Sequence, residues 1–454
     1  ATVRTVSIDS NSTSANISKL TIADLEELTP SQMASITPAA MLGFTTKIIP
    51  LLDVTLIQAI TPEQAAALTI SQTKVLSAAQ IGGLSVETVN RLTPAAIAGI
   101  SSDAIDSIDA NAFSFFTTSQ IAAFTPMQIS KLVDTQVREL TADQVIGLTS
   151  QQVANFNPTA LNALTPNAFA ALTPDKIKNI PLGAIDDISI DTFDFLTSAQ
   201  LNAFTPLQIS KLNANQVGVF TVDQVIGLTP EQMAKFDDAA LQALQPPSFG
   251  ALTPSAIKGI TLESIESINP DSFDFLTSTQ IAAFTPAQIN RFTSAAVSHL
   301  DVDQVVALTA EQMAKFTPAA IKGFAPTIFA ELTPNAIKGI SLDAVDDIEP
   351  DTFRFLSSTQ ISALTPAQIS KLTPQQVSQL GVEQVVGLSA AQMSKLSISD
   401  LSIDAIPVLS NNVLKSLKLS NLSTSQVSIT SLTAFSKSFA KIIQLYVLFF
   451  IYSI

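Results

Sequence analysis

Leu364-Thr-Pro-Ala-Gln-Ile-Ser-Lys371 and Phe284-Thr-Pro-Ala-Gln-Ile-Asn-Arg291 are two copies of one eight-residue unit, and how that unit is read decides the fold. Stepping by eight from Leu20 to Leu396 meets 48 positions without a break, and each is Leu, Ile or Phe. Self-similarity at so short and strict a period is the mark of a repeat architecture.

Each position of the octad matches a role at a helix start. Thr at position 2 is an N-cap whose hydroxyl accepts from an otherwise unpaired backbone N–H. Pro at position 3 is the first helical residue, where its missing N–H costs nothing. Gln or Glu at position 5 completes a capping box, and the apolar residues at positions 1 and 6 form a hydrophobic staple. At position 8, Gly99, Gly259 and Gly339 are expected to close helices in a left-handed conformation, and Lys131, Lys211 and Lys371 to face the negative helix end.

Proline placement tests the assignment. Twenty of the 24 prolines stand at position 3, the exceptions being Pro50, Pro181, Pro247 and Pro407. One continuous helix would lose roughly 3 kcal/mol at each internal proline, whereas helices restarted every eight residues accept them. The rival is a β-solenoid. Positions 1 and 6 recur at alternating separations of five and three, both odd, and a strand shares a face only at even spacing. The expected fold is therefore all-α: a solenoid or superhelix of very short capped helices, each burying positions 1 and 6 against neighbours because none persists alone.

A longer period overlies the octads. Near-copies of an 80-residue block begin at Leu92, Leu172, Leu252 and Leu332, which is ten octads each. Such a block could mark one superhelical turn or a duplication. The chain divides into a polar segment 1–19, the array 20–403, a degenerate Ser/Thr-rich stretch 404–441 and an apolar run 442–454.

Composition narrows the function. Hydrophobic residues make up 46% and charged ones 13%, too apolar a balance for disorder. A net charge of −15 repels phosphate backbones, so no nucleic acid is expected as partner. Cysteine is absent, which removes disulfides and thiolate chemistry. The string Leu228-Thr-Pro-Glu-Gln232 is similar to the helix start in transcription activator-like effector repeats, which bind DNA. The match spans five residues of a capping motif; the eight-residue period, the missing base-reading loop and the acidic charge set this chain apart from them.

Three groups of side chains are candidates for chemistry. Acids recur in each block, among them Asp103, Asp106 and Asp109, then Asp186, Asp187, Asp191 and Asp194. Glu263, Glu266, Asp271 and Asp274 follow, then Asp343, Asp346, Asp347, Glu349 and Asp351. Converging carboxylates could hold calcium; the plainer reading is helix-dipole complements and a solvated face. Phenylalanine pairs recur beside them: 113 with 115, 193 with 195, 273 with 275, 353 with 355. Positions 6 and 8 do not easily share a face. Either Phe115, Phe195, Phe275 and Phe355 are exposed and offer an apolar strip to a partner, or, the favoured reading, they thicken the packing between layers. His299 is the single histidine, expected on the surface. No nucleophile elbow, phosphate loop, zinc motif or dinucleotide fingerprint occurs, so no enzyme activity and no cofactor are expected.

The ends point outward. The 13-residue run from Ile442 to Ile454 is short for a spanning helix and fits the tail of a GPI-attachment signal, with Ser423, Ser425 and Ser431 as conceivable attachment points. Glycosylation sequons fall at Asn11, Asn16 and Asn421. The start at Ala1 fits a mature form with its signal peptide removed, or a fragment. The expectation is an extracellular, membrane-anchored scaffold acting as stalk, coat or adhesion surface. The alternatives are an unanchored protein-binding solenoid and a self-assembling filament subunit.

Overall fold

The computed structural model describes residues 7–409 and Gln426. Among them every regular element is a helix of three to six residues, many short copies in repeating order, and there is no strand. The β-solenoid is thereby excluded.

Thr29 shows how one octad folds. Its backbone is extended (φ −88°, ψ 153°) and its Oγ1 accepts from the Gln32 N–H at 3.2 Å. Gln32 Oε1 in turn accepts from the Thr29 N–H at 3.0 Å, and Pro30 opens the helix. The same reciprocal box recurs at Thr61/Gln64, Thr125/Gln128, Thr205/Gln208 and Thr365/Gln368. Each cap contributes about 1 kcal/mol, too little to hold four residues helical without packing.

The helix end differs from expectation. The position 1 residue donates its N–H to the position 6 carbonyl, as Ile36 does to Met33 at 3.3 Å, and is itself extended (φ −61°, ψ 131°). No described glycine has positive φ, and Gly259 is right-handed helical at −76°, −16°. The left-handed closure expected at Gly99, Gly259 and Gly339 is therefore wrong. In these octads the right-handed turn runs through position 8 and the chain straightens only after it, so a left-handed reversal has no place.

The chain forms two compact units, Ala1–Gly227 and Leu228–Ile454. In the first, helix Ile70–Thr73 packs on Pro94–Gly99, Ala78–Gly83 on Ser102–Ser107, and Pro174–Ile177 on Ser198–Ala203. In the second, Pro230–Met233 packs on Pro254–Lys258 and Ala310–Met313 on Pro334–Gly339. Each of these pairs is three octads apart, so the 80-residue block is not the packing period. Positions 1 and 6 fill the core, with Met33 and Ile36 at 0% and 2% exposure. Phenylalanines interlock edge to face, Phe113 with Phe116 at 5.3 Å and Phe273 with Phe292 at 5.2 Å.

Candidate interaction surface

The position 5 glutamine does more than cap. Gln376 is fully buried; its Oε1 accepts from the Thr373 N–H at 2.9 Å, and its Nε2 donates to the Val345 and Ile348 carbonyls at 2.9 and 2.7 Å. Gln64 bridges to Met33 and Ile36, Gln136 to Ile105 and Ile108, and Gln216 to Ile185 and Ile188. The acceptors lie 31 and 28 residues earlier, at positions 6 and 1. The position 6 carbonyl already accepts from the position 1 N–H, as Val345 does from Ile348 at 3.3 Å, whereas the position 1 carbonyl lies at the helix end, where carbonyls lack intrahelical partners. One amide thus caps its own helix and closes another. Sequence reasoning assigned only the first role. The signal for the second was Gln136 and Gln384 persisting behind Val133 and Gly381, which carry no hydroxyl; both still bridge.

Glutamine octads alternate with small-residue octads. Gln120, Gln128, Gln136, Gln144 and Gln152 are followed by Ala160, Ala168, Lys176, Ala184 and Thr192 at the same position, then by Gln200 through Gln232. Small-residue octads sit closer to their neighbours. A Cβ on Gly259, Gly323 or Gly339 would lie 2.2 Å from the backbone oxygen of Pro230, Ser294 or Ala310, in each case 29 residues earlier. In the glutamine octad of Gly387 the nearest atom, Ser358 Cβ, would be 3.4 Å away. Lys176 occupies a glutamine slot, donating from Nζ to the Ile146 carbonyl, and burial holds its pKa below the ordinary lysine value.

Each phenylalanine pair splits. Phe113, Phe193, Phe273 and Phe353 are buried, whereas Phe115, Phe195, Phe275 and Phe355 are 49–67% exposed. The favoured expectation of thicker packing fails for the second member, whose side chain turns outward. A second exposed series at 80-residue spacing, Ile146, Ile226, Val306 and Val386, was missed; apolar residues at position 7, off the core register, were its signal. Phe115 lines an open groove of about 670 Å³ with Pro62, Glu63, Val86, Glu87, Asn90 and Arg91.

The acidic candidates do not gather. Asp186, Asp187, Asp191, Asp194, Asp271, Asp274, Asp346 and Asp351 are exposed and Asp347 is half-exposed. Among the described residues no three acidic or histidine side chains are grouped to hold a metal ion. Several acids pair with cations instead. Asp351 meets Arg354 at 2.7 Å, and Asp347 meets Lys322 at 2.6 Å, a hydrogen bond that raises the lysine pKa. His299 is partly exposed, with Asp274 3.1 Å from Nδ1 and Asp271 3.6 Å from Nε2.

Asn11 and Asn16 are exposed, though the Asn16 Oδ1 already accepts from the Thr13 N–H at 2.8 Å. Asn421, the attachment candidates Ser423, Ser425 and Ser431, and the run 442–454 lie outside the described residues. No described helix is long and apolar enough to cross a membrane. No protein-family model matches this sequence, and no curated protein matches it.

Proposed function

We propose that the array is a solenoid, each coil taking between three and four octads, and that the protein is a non-enzymatic repeat scaffold whose exposed edge receives a protein partner. The observation that carries this reading is the glutamine bridge, repeated at offsets of 28 and 30 or 31 residues in run after run of glutamine octads in both units. Helix contacts 24 residues apart and glycine approaches at 29 support the same coil. Eighty residues span about three such coils. Duplicating ten octads therefore returns Phe195 to the side of Phe115 within the first unit, and Phe355 to that of Phe275 within the second. Cell-surface attachment through 442–454, as stalk, coat or adhesion surface, is the setting proposed from the sequence.

Deleting residues 252–331, one whole block, should leave a helical, cooperatively unfolding chain whose denaturant m-value falls roughly with the length removed. Collapse of the helical circular dichroism would overturn the solenoid. Release from cells by a phosphatidylinositol-specific phospholipase is the expected outcome for the setting; a persistently cytosolic protein refutes it.

A further inference from the structure

The groove at Phe115 is made by three octads that follow one another at 24-residue steps. Pro62 and Glu63 open the helix Pro62–Ala65, Val86 and Glu87 open the helix Val86–Val89, and Phe115 ends the helix Ala110–Phe115. The first packs on the second and the second on the third. Its apolar wall is Pro62, Val86 and the phenyl ring, which is 67% exposed. Its polar wall is Glu63 and Glu87, both exposed, and Asn90, three residues after Glu87 and on the same helix face.

Asn90 sets this place apart. Its Nδ2 donates to the Val86 carbonyl at 2.8 Å, and its Oδ1 is buried with no hydrogen-bond partner. Two carboxylates beside Pro62, Val86 and an exposed phenyl ring suit an amine on an aliphatic stem. Arg91, which also lines the groove, adds one positive charge against two negative ones, and the chain as a whole carries −15.

We propose that this groove docks a basic segment of a partner protein in extended form, with a lysine stem along Pro62, Val86 and Phe115. Its ammonium meets Glu63 and Glu87. The phenyl face adds a cation–π contribution. This rests on the scaffold reading and names the partner's chemistry. Carboxylate spacing along the 24-residue step gives register, and the phenyl ring is the anchor, the usual distribution of binding energy at an interface. Phe195 has one carboxylate in place of two: the residues 80 after Glu63, Glu87 and Asn90 are Asp143, Asn167 and Ala170.

The test uses the full chain and a fluorescein-labelled heptapeptide of alternating Lys and Leu, read by fluorescence anisotropy at about 0.15 M salt, where general attraction is screened beyond roughly 8 Å. A second peptide carries Gln for every Lys. The Lys peptide should bind at least roughly tenfold tighter than the Gln peptide, and Phe115→Ala with Glu87→Gln should weaken it by about tenfold. Phe195→Ala should leave binding unchanged. Both substituted sites are exposed, and circular dichroism of each variant checks the fold. Equal loss with Phe195→Ala, no loss with the Phe115 variant, or no binding at all overturns the groove. Those results leave the block-deletion outcome, which tests the solenoid, untouched.

Discussion

At the residue scale the account turns on an amide side chain that accepts with one atom and donates twice with the other. Gln376→Ala leaves the Thr373 N–H and the Ile348 carbonyl without these partners and the Val345 carbonyl with the Ile348 N–H alone; at about 1–3 kcal/mol per unmet buried group the loss should reach roughly 3 kcal/mol in urea unfolding. Gln376→Glu is more diagnostic. It keeps the acceptor but sets an anion against two carbonyls, raising its folded pKa. Stability of that variant should fall as pH rises from about 4.3 to the raised folded value, the opposite of an ion-paired acid. A pH-independent loss would mean the donor contacts are absent. Lys176→Gln gives the converse. Lysine can donate to the Ile146 carbonyl but cannot accept from Thr173, and its charge is partly desolvated. Its lowered pKa means that the unfolded chain binds more protons between the lowered and the ordinary value, so stability rises with pH across that window. Lys176→Gln should remove that rise and add roughly 1 kcal/mol at neutral pH.

At the element scale two kinds of octad coexist. Glutamine octads stand off from their neighbours by the length of an amide, while small-residue octads press backbone against backbone. Glycine substitution separates them. Gly339→Ala puts a methyl 2.2 Å from the Ala310 oxygen and should cost about 1–3 kcal/mol. Gly387→Ala meets nothing nearer than 3.4 Å in a right-handed helical conformation and should be neutral or stabilise by about 0.4–1 kcal/mol. Equal effects at the two sites in thermal unfolding would erase the distinction. The capping frame was legible in the octad itself because Thr, Pro and Gln act on atoms three residues away. What the glutamine amide reaches, and why Gly339 is glycine, depended on groups about thirty residues off, which an eight-residue reading does not contain. The outward turn of Phe115 was half legible: two phenylalanines two apart cannot both face the core, but which one turns out is set by the helix beneath.

At the scale of the whole molecule, the duplicated block and the packing period are different things. The block copies ten octads, while each helix rests on the one three octads away. That mismatch is why the sequence period could not supply the packing offset. Local contacts at 24–31 residues also mean that stability accumulates along the array within each unit instead of depending on distant parts of the chain. The central claim is this stacking offset, and the absence of native cysteine makes it directly measurable. Asp274→Cys with His299→Cys places two thiols where side chains now lie 3.1 Å apart, 25 residues along the chain. Asp274→Cys with Ala307→Cys shifts the second thiol by one octad. A short bis-maleimide should join the first pair rapidly and in high yield and the second pair poorly, scored by mobility after protease cleavage between the sites. Equal yields, or preference for the second pair, would contradict the fold and every role assigned to the glutamines.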